Sequence, residues 1–311
     1  MKNKHAKPKL IVISGPTGIG KTAVAIAVAE AYGGEIIGAD SMQIYRYMDI
    51  GTAKPTAEEQ ARVTHHMIDV ADPDENFDAA RYTRMARACV HKLTQNEILS
   101  IITGGTGLYI KALLYGLSSE AIADHGVRNR LKLEATVKGS QILHKRLARC
   151  DPPAAKRIHP NDTFRIIRAL EVYEITGEPM SNIQAAHQFD DHLYDAMKIG
   201  LSVDRETLYT QIDRRVEDMI AAGLVDEVKG LLDRGYHSEI KAMQSIGYRH
   251  ITSFLEGTLS RDEAIRTMQR DTRRYAKRQI TWFKKDPDIT WITPDNQERI
   301  CKKIATFLSD D

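Results

Sequence analysis

The sequence predicts an α/β fold, in which a largely parallel β-sheet is covered by helices and interrupted by a helical insertion. Its short apolar runs are continuous rather than alternating, which is typical of strands buried on both faces. About a helix's length of sequence separates the first two runs, as in a strand–helix–strand unit. A basic stretch with helical spacing separates the fourth run from the fifth. The predicted strands are Lys9–Ser14, Glu35–Asp40, Met67–Val70, Ile98–Thr103, Met197–Leu201 and Ile289–Ile292.

Capping residues and glycines mark the predicted helices along the chain. Short polar side chains accept the free N–H groups of a helix's first turn, and glycine frequently ends a helix. The marking residues are Gly139, Asp162, Gly177, Asp204, Gly223 and Ser260, the last followed by Glu263 in a capping-box pattern. We therefore predict a helical insertion at residues 124–190, between core segments at 1–123 and 191–311.

The composition is that of a globular protein. The chain has 311 residues, of which 42% are hydrophobic and 28% are charged, and no apolar run is long enough for a membrane span. The N-terminus lacks a cleavage-site pattern, so we expect a cytoplasmic protein without a signal peptide. Three widely spaced cysteines argue against a disulfide framework and against a zinc module.

Basic residues are concentrated in two segments, although the formal net charge is only +2. Eleven basic and three acidic residues lie between Arg128 and Arg168, and nine basic and three acidic residues lie between Arg261 and Lys285. A single charged segment of this kind is usually a solvated helix face. Two of them, with an acidic remainder of the chain, indicate a candidate surface for a polyanion.

A glycine-rich loop follows the first predicted strand and precedes a helical run. It matches the pattern G-x-x-x-x-G-K-[ST], in which backbone N–H groups and a helix N-terminus bind phosphate oxygens. The lysine supplies a positive charge, and the final hydroxyl supplies a ligand for Mg²⁺. The loop consists of Gly15, Pro16, Thr17, Gly18, Ile19, Gly20, Lys21 and Thr22. This pattern predicts a phosphate or diphosphate ligand without specifying ATP.

The second element of an NTPase, an apolar strand that ends in aspartate, is poorly represented. Met67–Val70 contains Asp69 but is short, and Ile98–Thr103 is followed by glycine rather than by an acid. Asp40 lies at the carboxyl end of the second predicted strand, where ligands collect in a parallel sheet. Because an aspartate at such a position is more often a cap or a turn residue, its role depends on the residues that follow it.

Seven segments together resemble the tRNA dimethylallyltransferase family, bacterial type. The longest is Asp40–Pro55, and the segments run in the family's order from about residue 10 to residue 285. The zinc finger of eukaryotic relatives is absent, which favours the bacterial type. The other segments are the phosphate loop, His65–Pro73, Gly104–Leu114, Arg165–Val172, Gly247–Arg249 and Lys277–Phe283.

This resemblance implies transfer of a dimethylallyl group from dimethylallyl diphosphate to the exocyclic amine of the adenosine 3′ of the anticodon in tRNA, giving isopentenyladenosine. It also implies a P-loop NTPase-like parallel sheet core with an inserted α-helical domain. By family likeness, Asp40 is the general base, and Thr17 and Arg215 contact the diphosphate, with the neighbouring Arg214 as an alternative to Arg215. The phosphate loop would hold the diphosphate, with Mg²⁺ at Thr22.

We expect a monomer that binds the anticodon stem-loop of tRNA. Phe164 replaces the glutamine of many relatives, which argues against a side-chain hydrogen bond there. Trp282 and Phe283 could either stack on a base or pack in the core. The positions that match tRNA contacts of the family are Asp40, Ser41, Met42, Gln43, Thr106, Arg128, Phe164, Arg165, Ile166, Ile167, Arg168, Gln244, Ser245, Ile246, Gly247, Tyr248, Arg249, Lys277, Arg278, Gln279, Trp282 and Lys284.

Three alternatives keep the phosphate loop but change the acceptor or the reaction. An adenylate isopentenyltransferase would take a free adenine nucleotide, but so small an acceptor does not require two long basic segments. A P-loop kinase or NTPase would use ATP. An RNA-binding module would use the loop only to grip phosphate, which leaves Asp40 without a role. The sequence favours prenyl transfer to tRNA over these alternatives.

Overall fold

One parallel sheet forms the centre of the larger part of the chain. The computed structural model describes residues 7–117, 124–187 and 192–310. The strands are β1 Lys9–Ser14, β2 Gly34–Gly38, β3 His65–His66, β4 Leu99–Gly104, β5 Asp195–Leu201 and β6 Thr290–Ile292. Within the described residues they form a sheet in the order β3-β2-β4-β1-β5-β6, and every neighbouring pair is parallel. The predicted α/β fold is therefore confirmed.

Helices alternate with these strands and bury their apolar sides. The helices before the insertion are α1 Lys21–Tyr32, α2 Ala57–Arg62, α3 Ala79–Gln95 and α4 Gly107–Tyr115. Those that follow it are α10 Arg205–Ala221, α11 Leu224–Asp233, α12 Tyr248–Leu255, α13 Arg261–Phe283 and α14 Gln297–Ser309. Asp204 caps α10, and Ser260 with Glu263 forms the predicted capping box of α13. Ile11 and Ile13 of the central strand β1 are fully buried against α1 side chains such as Val24.

One predicted strand, Met67–Val70, is wrong. Strand β3 ends at His66, and Met67 and Asp69 have φ angles of 64° and 55°. Such left-handed backbone cannot continue a strand. The Asp69 carboxylate instead pairs with Lys54 at 2.6 Å. The segment therefore turns back and packs against the loop that follows β2, where the Asp69 N–H donates to the Gln43 carbonyl at 3.3 Å.

The insertion forms a compact unit of its own. Residues Tyr115–Asp191 make up this unit, and Met1–Leu114 with His192–Asp311 make up the other. The predicted boundary residues 123, 190 and 191 lie outside the described residues. Its helices are α5 His125–Lys138, α6 Ser140–Cys150, α7 Pro152–Arg157, α8 Thr163–Thr176 and α9 Met180–His187. Leucines of three helices, Leu131, Leu143 and Leu170 among them, form its core.

Other features of the described ranges concern membranes, metals and thiols. No helix in them is both long and apolar enough to cross a bilayer. The same ranges contain no group of three or more His, Cys, Asp or Glu side chains that could hold a metal ion. Cys89, Cys150 and Cys301 are free, partly buried thiols.

Candidate active site

The phosphate loop joins the end of β1 to the start of α1. Gly15, Gly18 and Gly20 have φ angles of 154°, 82° and 88°. Side chains rarely tolerate such angles, which explains the glycines of the motif. Lys21 Nζ donates a 2.8 Å hydrogen bond to the Pro16 carbonyl. The lysine side chain therefore folds back over the loop.

The Thr17 amide departs from the expected row of anion-facing N–H groups. It donates to Oε1 of Gln279 in α13 at 2.8 Å, and the preceding Pro16 has no N–H to offer. The loop amides that remain to face a phosphate are therefore those from Gly18 onward. The Thr17 side chain still lines the cavities described below.

Asp40 follows β2, and its carboxylate is held by a turn of its own backbone. Oδ1 accepts the N–H of Met42 at 2.8 Å and the N–H of Gln43 at 3.4 Å. Gln43 Nε2 donates in turn to the Ala53 carbonyl at 2.9 Å, which closes the loop. In the sheet only β4 lies between β2 and β1. The carboxyl ends of these strands therefore bring Asp40 to the same sheet edge as the phosphate loop.

The structure distinguishes the two arginines that the sequence left open. Arg214 is exposed, whereas Arg215 is partly buried and lines a cavity with Asp40 and Thr17. Burial lowers the pKa of Arg215 from its ordinary value, and the negative charge of Asp40 opposes this shift. Arginine remains charged at neutral pH under such conditions. Arg215, and not Arg214, therefore presents a cation to the site.

Lys21 is the second cation of the site. Burial and the charge of Arg215 lower the pKa of Lys21 to about 8, while Asp40 raises it. Lys21 is therefore protonated at neutral pH but sits closer to its titration range than an exposed lysine. Two cations thus adjoin one carboxylate, and this arrangement suits an anionic ligand bound beside a proton acceptor.

Two adjoining cavities connect the phosphate loop with an apolar chamber. The smaller, of about 110 Å³, is lined by loop residues that include Gly18, Lys21 and Thr22. The larger, of about 280 Å³, is also lined by Ser41 and Met42. The residues common to both cavities are Thr17, Asp40, Thr52, Arg215 and Tyr275. Besides Met42, the apolar side chains of the larger cavity are Ile212, Val216, Met219, Ile246 and Met268. A ligand with an anionic end and a short apolar end fits this division.

Glycines after β4 allow α13 to approach the sheet edge closely. A Cβ at Gly105 would lie 2.2 Å from Nε2 of Gln279. A Cβ at Gly107 would lie 2.0 Å from Nε1 of Trp282. At these distances Gln279 and Trp282 would have to move to admit a side chain at either position, so the two glycines suit the close packing of α13.

Thr106 links the loop after Asp40 to the turn after β4. Its Oγ1 accepts the N–H of Ser41 at 3.0 Å, and its own N–H donates to the Ala39 carbonyl at 3.0 Å. Burial and the charge of Asp40 raise the pKa of Tyr275 to about 12. The hydroxyl is therefore protonated at neutral pH and borders both cavities. Thr106 was predicted to contact tRNA, and in this structure it organises the site.

Tyr275 and the apolar residues that α10 and α13 contribute to the larger cavity are site residues that the sequence analysis did not identify. For the residues on α13, the helical spacing of the sequence contains a pattern that could have identified them. Met268, Thr272, Tyr275 and Gln279 recur at intervals of four, three and four residues along α13, which places them on one face. Polar side chains on a face that is otherwise buried indicate a site or a structural bond rather than a solvated surface.

On α13, the predicted tRNA contacts include both exposed and buried positions. Trp282 is 43% exposed, so its ring is open for stacking, whereas Phe283 is 4% exposed and packs in the core. Gln279 is 5% exposed and uses both ends of its amide within the protein. The Gln279 amide therefore has no free donor or acceptor facing solvent in this structure. Among the predicted contacts on α13 and directly after it, the exposed basic residues are Lys277, Arg278 and Lys284.

The segment at residues 244–249 is divided in the same way. Gln244 is exposed, and Ser245, Ile246 and Arg249 line the larger cavity. Gly247 is buried with a φ of 96°. Tyr248 is 0% exposed, and its hydroxyl donates to a carboxylate inside the protein. Its side chain is not available to RNA, so it is removed from the predicted contacts.

In the insertion, the start of α8 presents two predicted contacts to solvent. Phe164 is 78% exposed, and Arg165 is exposed while paired with Asp162 at 2.7 Å. Ile166 and Ile167 are 0% and 6% exposed and belong to the core of the unit. The two isoleucines therefore support the helix from within, and their side chains do not reach a surface.

Arg128 and Arg168 of the insertion share one carboxylate. Both donate to Oε2 of Glu171, at 3.0 Å and 2.9 Å, and the N–H of Asp124 donates to its Oε1 at 3.1 Å. Glu171 is fully buried. Burial would raise the pKa of Glu171, but the hydrogen bonds from the two arginines outweigh it and hold this pKa below its ordinary value. These arginines therefore have a structural partner inside their own unit.

Comparison with known proteins places these features in a family. The model of a family described as IPP transferase matches residues 43–286. The tRNA dimethylallyltransferase of Desulfosudis oleivorans is 60% identical over 97% of this chain and 96% of its own length. That of Geobacter sulfurreducens is 52% identical over 97% of this chain and 98% of its own length.

Solved structures match the same fold. The full-length tRNA isopentenylpyrophosphate transferase from Bacillus halodurans gives a TM-score of 0.73 at 40% identity, covering 98% of both chains. A eukaryotic dimethylallyltransferase acting on tRNA gives a TM-score of 0.78 at 28% identity, covering 92% of this chain and 74% of the other. With its phosphate loop, its strand-end aspartate and these nearly full-length matches, the chain belongs to the IPP transferase family.

Proposed function

We propose that this chain transfers a dimethylallyl group from dimethylallyl diphosphate to the exocyclic amine of the adenosine 3′ of the anticodon in tRNA. One observation carries the proposal. Asp40, Thr17 and Arg215 line a single cavity that adjoins the phosphate loop and has apolar walls. This arrangement offers a cationic end for a diphosphate, an apolar chamber for a prenyl group and a carboxylate between them.

Asp40 serves as the general base of the proposed reaction. An adenine amine is a weak nucleophile because its lone pair is delocalised into the ring. As the new bond forms between this nitrogen and the first carbon of the dimethylallyl group, the nitrogen must lose a proton, which the Asp40 carboxylate accepts. The hydrogen bond from Met42 to Oδ1 holds the carboxylate in one orientation for this step.

Arg215 and Lys21 stabilise the leaving group. The bond between the carbon and the diphosphate oxygen breaks with its electron pair on the oxygen, so negative charge grows on the diphosphate. Preorganised cations in a partly buried site stabilise such charge more than mobile ones in water. Arg215 borders both cavities, and Lys21 lies in the loop itself.

Thr22 is the residue that we propose as the protein's ligand to Mg²⁺. This ion prefers hard oxygen ligands and commonly combines one or two protein oxygens with phosphate oxygens and water. Thr22 is partly exposed and lines the smaller cavity with Lys21 and Asp40, so its hydroxyl fits such an ion. When bound, Mg²⁺ would neutralise part of the charge of the diphosphate.

The apolar wall gives the chamber its preference for a short prenyl chain. Ile212, Val216 and Met219 lie on one face of α10 and contribute to this wall. Burial of each CH₂ group contributes about 0.8 kcal/mol, so a five-carbon group gains appreciably from leaving water. The same wall keeps water away from the reacting carbon, which would otherwise be hydrolysed.

Each unit has its own exposed aromatic and basic side chains, which we propose as contacts to RNA. In the unit that contains the sheet these are Trp282, Lys277 and Arg278 of α13, with Lys284 directly after the helix. In the insertion they are Phe164 and Arg165. Lysine and arginine neutralise phosphates, and aromatic rings stack on bases. The target adenosine must leave its stack to reach Asp40, and contacts of this kind offset that cost.

A transfer assay with two acceptors tests the function. The protein is incubated with labelled dimethylallyl diphosphate, Mg²⁺ and either an unmodified tRNA anticodon stem-loop or AMP. We expect label in the RNA, located at the adenosine 3′ of the anticodon, and none in AMP. Label in AMP alone would indicate an adenylate isopentenyltransferase. Hydrolysis of ATP without prenyl transfer would indicate a kinase or an NTPase.

A further inference from the structure

Gln279 lies in the interior between the phosphate loop and the turn after β4. It is 5% exposed. Its Oε1 accepts the backbone N–H of Thr17 at 2.8 Å, and its Nε2 donates to the carbonyl of Gly105 at 3.0 Å. One side chain of α13 therefore joins two loops that leave neighbouring strands of the sheet.

A glutamine amide suits both partners at once. The Thr17 N–H requires an acceptor and the Gly105 carbonyl requires a donor, and an uncharged amide supplies one of each on adjacent atoms. The space is equally restrictive, because a Cβ at Gly105 would lie 2.2 Å from Nε2. An apolar side chain at position 279 would leave two buried backbone groups without these bonds.

The bond to Thr17 matters because Thr17 faces the site. Its side chain lines both cavities, as do Asp40 and Arg215. The position of the Thr17 backbone sets where the threonine hydroxyl and the following loop amides point. We propose that Gln279 is a positioning residue, which fixes Thr17 and the turn of the phosphate loop in the orientation that binds the diphosphate. This inference rests on the proposed function for the identity of the substrate.

The substitution Gln279→Glu tests the hydrogen bond that Nε2 donates to the Gly105 carbonyl. A carboxylate still accepts the Thr17 N–H, but its second oxygen faces the Gly105 carbonyl oxygen, and the two repel. A protonated carboxyl group can donate there instead, so lowering the pH restores the missing bond. The charged or titratable side chains around the same cavity are Lys21, Asp40, Arg215 and Tyr275. A wild-type series over the same pH range accounts for their contribution.

The readouts separate positioning from RNA contact. For Gln279→Glu near pH 8 we expect the Kd for inorganic pyrophosphate and the KM for dimethylallyl diphosphate to rise about tenfold or more. Both values should recover toward wild type near pH 6, and the Kd for tRNA should change by less than about threefold. Gln279→Met, which is similar in length and uncharged, should show the same weakening without recovery at low pH. If Gln279→Glu does not fold, the pyrophosphate Kd of Gln279→Met alone tests the inference.

Gln269→Glu is the matched control on the same helix. Gln269 is partly exposed, and its Nε2 donates to the Asp213 carbonyl at 3.4 Å, so pyrophosphate binding should stay at the wild-type value. Wild-type pyrophosphate binding in both Gln279 variants would overturn the inference, and so would a loss confined to tRNA affinity. Weaker pyrophosphate binding in both, with no prenyl transfer by the wild-type protein, would support the positioning role while refuting the proposed function.

Discussion

The hydroxyl of Tyr248 donates a 2.6 Å hydrogen bond to Oε1 of Glu227. The same carboxylate accepts the backbone N–H groups of residues 49–51 at 2.7 to 3.0 Å. Tyr248 is fully buried, and a Cβ at Gly51 would lie 2.6 Å from its ring. The pair therefore anchors the middle of the segment between β2 and α2, where Gly51 and Thr52 line the larger cavity.

Tyr248→Phe should destabilise the fold without weakening RNA binding. The ring packing is retained while a buried hydrogen bond to a charged acceptor is lost, so we expect the free energy of unfolding to fall by about 1–2 kcal/mol. Urea denaturation measures this change. Tyr32→Phe is the control for the loss of one tyrosine hydroxyl away from the site, because it removes a 2.7 Å hydrogen bond to the Cys301 carbonyl. A large loss of tRNA affinity at unchanged stability would instead make Tyr248 an RNA contact.

Asp40→Asn should remove the base while preserving the loop. Asparagine keeps an oxygen that accepts the Met42 N–H, so the turn is retained, but it does not accept the proton of the amine. We expect kcat to fall by about 10²–10⁴-fold with an unchanged Kd for tRNA. Single-turnover assays and filter binding measure the two quantities. Asp74→Asn, at an exposed acid, is the matched control, and near wild-type kcat for Asp40→Asn would exclude this aspartate as the base.

The titration of Lys21 predicts how kcat/KM for dimethylallyl diphosphate decreases at alkaline pH. Its pKa is lowered to about 8, so its positive charge is present below that pH and is lost above it. We expect kcat/KM for dimethylallyl diphosphate to fall about tenfold per unit above this pH, since this ratio reports the free enzyme. Bound diphosphate raises the pKa of the lysine, so kcat should stay level to higher pH.

Lys21→Met tests the assignment of this decrease to Lys21. Methionine keeps most of the side-chain length but has no charge to lose, so kcat/KM should be low and independent of pH above about 7. The measurement uses saturating tRNA at constant ionic strength. An alkaline decrease that persists in Lys21→Met at the wild-type position belongs to another group, and the role of Lys21 would then be rejected.

Local patterns in the sequence predicted most of the fold. Strand–loop–helix order, the glycines of the phosphate loop and the caps at Asp162 and Ser260 are encoded within a few residues, and each occurs as predicted. Met67–Val70 was wrong because its backbone is set by a distant partner. The N–H groups of Asp69 and Val70 donate to the carbonyls of Gln43 and Ile44, at 3.3 Å and 2.8 Å, and no local signal in residues 67–70 reports these partners.

The site was predictable where its parts are local and unpredictable where they are distant. The phosphate loop and Asp40 carry recognisable neighbours in sequence. The choice of Arg215 over Arg214 was available in principle, because Arg215 shares a helical face with Ile212 and Met219. The bond from Gln279 to Thr17 joins residues 262 positions apart. Only the assembled sheet edge shows that the amide of this glutamine is bonded to the loop.

Lys277→Ala with Arg278→Ala should weaken tRNA binding in a salt-dependent way. Both side chains are exposed on α13, and each phosphate contact that is lost releases about one counterion fewer. We expect the slope of log Kd against log salt concentration to become shallower by about one to two units for the double variant. Fluorescence anisotropy across a salt series measures the slope. Arg299→Ala, at an exposed position of α14, is the control, and an equal slope in all three proteins would assign the two residues to an uninvolved surface.

Arg128→Met should affect stability rather than the salt slope. The arginine shares the buried Glu171 with Arg168. Its loss removes two charge-assisted hydrogen bonds, at 3.2 Å and 3.0 Å, while the donors of Arg168 and Asp124 remain. We expect the free energy of unfolding to fall by about 1–3 kcal/mol. Arg165→Ala is the comparison, because Arg165 is exposed at the start of the same unit's α8 and its loss should flatten the salt slope with little effect on stability.

The pH dependence of the stability lost in Arg128→Met shows whether the ion pair with Glu171 causes that loss. The pKa of Glu171 is lowered in the folded protein, so its ion pairs stabilise the fold above the ordinary carboxyl range. This contribution disappears as the pH falls through the lowered pKa. The difference in unfolding free energy between wild type and Arg128→Met should therefore be largest near neutral pH and shrink in acid. A difference that is constant with pH would mean that Arg128 contributes through packing. A shallower salt dependence of tRNA binding for this variant would instead make Arg128 a contact to RNA.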